Sequence, residues 1–66
     1  MIKEIIIDTL RKEITLRDKD GSSEKTIPFN PSVLENINRE ESNQIIRNCL
    51  PAGLILETNI IYTYKV

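Results

Sequence analysis

The strongest nucleophile in this 66-residue sequence is a single thiol, Cys49, and the chain holds no histidine to draw a proton from it. General acid–base chemistry near neutral pH most often relies on histidine. A thiol becomes a reactive thiolate only beside an electropositive neighbour. Cys49 falls instead on an apolar helical stripe with Ile45, Ile46 and Leu50, so a buried, structural thiol is expected. The adjacent carboxylates Glu40 and Glu41 diverge on a helix and suit its first turn, where the backbone dipole favours negative charge. A lone thiol without histidine does not make a tetrahedral zinc set. The stretch "DKDG" opens like a calcium loop but lacks the spaced carboxylates and the closing glutamate. Gly21 stands in a turn, and no glycine-rich phosphate loop exists. No catalytic, cofactor-binding or metal-binding residue is assigned, and a non-enzymatic protein without a cofactor is expected.

Two sets of residues remain. Tyr62 and Tyr64 share one face of an alternating C-terminal segment, with Lys65 beside them. Aromatic side chains normally close a core, and in a chain with Phe29 as its one other ring these two are expected to do so. Tyrosine is also favoured where a protein meets a partner, because its ring is apolar and its hydroxyl tolerates water. An unpaired strand edge would add free N–H and C=O groups. The sequence thus points first to a small protein-binding module, a regulator or inhibitor of a larger protein, with Tyr62, Tyr64 and Lys65 at the contact. Self-association is a further expectation.

The second set is Arg39, Asn43 and Arg47 in "REESNQIIRNC". These side chains are of the types that read base edges, and two short helices before a hairpin would suit a winged helix-turn-helix. Phosphate affinity, however, comes mainly from clustered Lys and Arg. Here nine basic residues face ten acidic ones for a net charge of −1, and Glu40 and Glu41 occupy the turn that would approach DNA. A nucleic-acid-binding regulator is therefore the alternative reading, and a plain solvated helix face the simplest one.

Positioning these residues requires elements. Residues 2–10, "IKEIIIDTL", favour a strand through their β-branched run, although Ile2, Ile5, Ile6 and Leu10 also fit a helical template. "EITLRD" alternates cleanly, "DKDGSS" supplies turn residues, and "EKTIPF" returns with Ile27 and Phe29 on one face. A hairpin across residues 13–29 follows, with Pro28 marking an edge or strand end. "NPSVLENI" reads as a helix start, capped either by Asn30 with Pro31 in the first turn or by Ser32 with Glu35 closing a capping box. A second start falls at Asn38, and Pro51 and Gly53 end that helix. The apolar stripe of Val33, Leu34 and Ile37 is rotated by about 140° from that of Ile45, Ile46, Cys49 and Leu50. One straight helix could not bury both, so a break is predicted near Asn38 to Glu40.

In the tail, Leu54, Leu56, Ile60, Tyr62, Tyr64 and Val66 alternate with Ile55, Glu57, Asn59, Ile61, Thr63 and Lys65. A straight strand over residues 54–66 would run ~40 Å. A domain of this length should have a radius of gyration of about 11 Å. The segment must therefore fold back at "ETN", bend, or extend outward. The fold class expected is α+β, one domain over residues 1–66. Its small antiparallel sheet would combine the N-terminal hairpin with a C-terminal strand or hairpin, under two short helices on one face.

A chain of this size buries only ~60% of its unfolded surface, and one cysteine forms no internal disulfide. Good packing or association with another chain must compensate. The N-terminus lacks a signal-like apolar region, no run reaches membrane-spanning length, and a free cysteine suits a reducing compartment. A cytoplasmic protein with no membrane partner is expected.

Overall fold

The N-terminal segment resolves in favour of alternation. In the computed structural model, which describes residues 1–21 and 24–65 and only the backbone of Glu24, β1 spans Ile2–Asp8. Ile5 and Ile7 are fully buried on one face, while Ile6 is half-buried on the other. Leu10, which would have been apolar helix surface, lies exposed in the following turn. Asp8 organises that turn: its Oδ1 accepts the amides of Leu10 at 3.1 Å and Arg11 at 3.0 Å.

The chain returns as β2, Glu13–Asp18, antiparallel to β1, and β3, Glu24–Pro28, pairs antiparallel with β2 from Arg17 opposite Glu24 to Glu13 opposite Pro28. The predicted hairpin forms. Its turn begins with the Gly21 amide donating to the Asp18 carbonyl at 2.9 Å, and Gly21 takes the positive φ of 75° that glycine adopts freely. Ser22 and Ser23 lie outside the described residues.

The two expected helices become one helix and one turn. Residues Pro31–Leu34 make a single 3-10 turn, capped by Asn30 Oδ1 accepting from the Ser32 amide at 3.1 Å. Asn30 thus provides the cap, and Glu35 is already extended at φ −69°, ψ 137°. Asn36 then takes φ 63°, and Asn38 caps α1, Arg39–Cys49, accepting the Glu41 amide at 2.8 Å. The break needed to turn two apolar stripes toward one sheet consumes residues 35–38. What remains before it is too short to repay the cost of nucleating an α-helix.

The largest correction concerns the sheet, which is mixed and ordered β3-β2-β1-β4. The last strand, β4 (Leu56–Lys65), lies parallel to β1, with Ile5 beside Tyr62 and Ile7 beside Tyr64. After β3 the chain must travel from one edge of the sheet to the other, and parallel strands require such a crossover. The crossover carries α1 over one sheet face. There Ile46 seals a core of Ile5, Ile7, Ile14, Leu16 and Phe29.

The tail is one bent strand. The advance from Ile2 to Glu4 is matched by the advance from Leu56 to Ile61, so residues 57–60 bulge out of register. The bend fits the strand into a molecule of 32 × 23 × 20 Å with a radius of gyration of 11.2 Å. Among the described residues no helix is long and apolar enough to cross a membrane.

Candidate functional site

The sheet register shows where the tyrosines belong. Across the helix-facing side, one row runs Ile27, Ile14, Ile7, Tyr64, and the next runs Lys25, Leu16, Ile5, Tyr62. Each tyrosine ends a row at the β4 edge. Both are half-buried and pack against the core.

Helix α1 completes their surroundings. Ser42, Ile46 and Leu50 recur at four-residue spacing, so they share the buried stripe, and Ser42 is the polar member of it. The Tyr64 hydroxyl donates to Asn43 Oδ1. Having spent its one proton there, it must accept from Ser42 Oγ, 2.8 Å away. The Arg39 guanidinium lies 3.7 Å from the centroid of the Tyr64 ring, a cation–π arrangement worth about 0.5–1 kcal/mol at an exposed site.

The residue sets that the sequence suggested for different purposes therefore converge. Arg39 and Asn43 line one open groove with Tyr62 and Tyr64. Arg47 continues the same stripe one turn beyond Asn43, at the four-residue spacing of helix neighbours, and is exposed. Lys65 does not join the groove. It lies on the opposite sheet face beside Asp8 in register. On the other side of the Arg39–Tyr64 pair, Thr9, Pro31, Leu34 and Ile37 line a second depression. Sequence reasoning passed over Ser42, although a serine at the four-residue spacing of a buried stripe is a legible sign of an internal hydrogen-bond partner.

Cys49 corrects another expectation, because it is exposed. At about 100° per residue it sits about 60° off the direction of Ile46, on the flank of the buried stripe in the last helical turn. Among the described residues, no group of three or more His, Cys, Asp or Glu side chains is placed to hold a metal ion.

The backbone of β4 adds a second kind of site. Thr9 N donates to the Lys65 carbonyl at 3.2 Å, and Thr9 Oγ1 donates to it at 2.9 Å, so Lys65 turns its peptide group toward β1. Peptide groups alternate in direction along a strand. Those of Ile61 and Thr63 therefore also face β1, while those of Tyr62 and Tyr64 face away. Among the described residues no strand lies beyond β4. The other sheet edge, β3, ends in Pro28, which has no donor to offer.

On the uncovered sheet face, Thr63 Oγ1 donates to Glu4 Oε2 at 2.8 Å, and Arg17 reaches Glu4 Oε1 at 3.7 Å. The first ties β4 to β1 behind the open edge, and the second ties β1 to β2. The groove thus joins Arg39, Asn43 and an aromatic pair beside outward-facing peptide donors and acceptors.

Comparison with protein families, with curated proteins and with solved structures finds no match to this chain.

Proposed function

We propose that this protein is a non-enzymatic binding module whose β4 edge accepts an extended segment of another protein, acting as a regulator or inhibitor of that partner. The observation that carries the reading is the outward direction of the Tyr62 and Tyr64 peptide groups on an edge that no described strand covers. An incoming strand would bond to these groups, and main-chain pairing of this kind supplies affinity while neighbouring pockets supply selectivity. The groove of Arg39, Asn43, Tyr62 and Tyr64 lies along that edge and would receive the side chains of the added strand. Exposed Ile61, 52% accessible on the other face, extends the apolar border.

A second copy of the chain is one occupant that could pair in this way. The nucleic-acid alternative draws less support, because the net charge is −1 and Glu40 and Glu41 hold the first turn of α1 beside Arg39, where clustered Lys and Arg would be needed for phosphate.

Backbone N-methylation of Tyr62 and Tyr64 in a chemically synthesised chain tests the proposal, since it removes the edge donors and keeps every side chain. The methylated chain is expected to fold like the unmodified one and to lose the partner that the unmodified chain retains. A partner retained equally by both chains would overturn edge pairing. Steep weakening of binding with salt, with nucleic acid in the retained fraction, would favour the alternative.

A further inference from the structure

The groove beside β4 carries the positive charge of Arg39, on a helix stripe that Arg47 continues. Among the described residues, no carboxylate reaches ion-pair distance of Arg39 or Arg47. Among the described residues Arg39 is engaged by the π face of Tyr64, a contact that satisfies none of its N–H groups with a hydrogen-bond acceptor. Glu35 stands across the neighbouring depression without reaching it. Glu40 and Glu41 are in the first helical turn; at about 100° per residue Glu41 points about 160° away from Asn43, and Glu40, although about 20° from the direction of Arg47, stands about two turns from it along the axis. Lys65 adds little, because it neighbours Asp8 on the opposite face.

We infer that the segment accepted by β4 is acidic, with carboxylates four residues apart that face Arg39 and Arg47. The inference rests on the reading of β4 as a strand-accepting edge. The first turn of α1 lies over Tyr64, near the end of β4, so helix and strand run in opposite senses. Arg39 and Arg47 are eight residues apart, which is about 12 Å along a helix. Residues four apart on a strand point to one face and are about 13 Å apart. An added strand laid along β4 therefore brings one carboxylate to Arg39 beside Tyr64 and another to Arg47. The residue between them on that face meets Asn43 and Tyr62. The match holds whether the added strand is parallel or antiparallel, since both place lateral neighbours on the same face.

Synthetic end-capped peptides test the charge pattern. Thr-Glu-Thr-Val-Thr-Glu-Thr is titrated against the protein at low ionic strength, beside counterparts with Gln or Lys in place of both Glu. The amide resonances of Tyr62 and Tyr64 are followed by NMR. The Glu peptide is expected to move both resonances and to bind about five-fold more tightly than the Gln peptide, as two exposed ion pairs allow, with the Lys peptide weaker still. Salt should narrow the gap. R47Q, at an exposed position outside the core, should reduce the Glu preference while the free spectrum stays that of the unmodified protein. Equal affinity for all three peptides, with both resonances moving, would overturn the acidic pattern and leave edge pairing standing. No movement of Tyr62 or Tyr64 with any peptide would overturn both.

Discussion

Tyr64 joins the helix to the edge strand through three contacts: its hydroxyl to Asn43, Ser42 to its hydroxyl, and Arg39 over its ring. Tyr64→Phe keeps the ring and removes the hydroxyl, leaving Ser42 and Asn43 to find new partners. A loss of about 1 kcal/mol is expected by chemical denaturation, the usual size for such bonds, with the arginine stacking retained. Asp8 is a second such residue, 8% exposed and accepting two backbone amides. Asp8→Ala strands those amides in the turn and should cost about 1–2 kcal/mol in the same measurement. Asp18 behaves differently. The Met1 ammonium at 3.0 Å, and after it the Lys19 amide, hold its carboxyl below the ordinary carboxylate value, against a small opposing effect of burial. A carboxyl lowered on folding adds stability above its unfolded pKa, and that contribution is lost as pH falls through the folded pKa. Asp18→Asn should therefore be less stable than the unmodified protein near neutral pH. The two denaturation curves should draw together once the solution is acid enough to protonate Asp18.

At the scale of elements, α1 is held to the sheet chiefly by Ile46, which is fully buried over Ile5, Ile7, Ile14 and Leu16. Ile46→Ala should cost about 2–4 kcal/mol. A chain of this length has a total stability of about 3–10 kcal/mol, so the variant's thermal unfolding should shift far downward or lose its cooperativity. The strands and the helix start were legible in the sequence because their signals are local. Alternation in "EITLRD", the turn at Gly21 and the caps at Asn30 and Asn38 each act within a few residues. The direction of β4 was not legible. Parallel pairing with β1 joins residues far apart in the chain, and no local pattern distinguishes a strand that follows a crossover from one that follows a hairpin. Cys49 misled because an apolar stripe of Ile45, Ile46, Cys49 and Leu50 is too wide: the buried positions of α1 are Ser42 and Ile46, with Leu50 half-buried beyond them. The convergence of Arg39 and Asn43 with Tyr62 and Tyr64 depends on that same crossover, which is why each pair suggested a different function when read alone.

For the whole molecule, the crossover leaves β3 and β4 as the two sheet edges. Edge strands are commonly protected by proline, inward charge or a bulge. β3 ends in Pro28, and β4 carries its bulge at residues 57–60. The stretch from Ile61 to Tyr64 carries no proline, charged side chain or bulge, and there the core rows end in tyrosine. This open stretch is the centre of the account, and amide hydrogen exchange on the dilute monomer tests it most directly. The amides of Thr63 and Lys65, directed at β1, should exchange slowly. Those of Tyr62 and Tyr64, directed outward, should exchange fast and become protected when a strand is added. Equal, strong protection at all four positions in the isolated protein would contradict it.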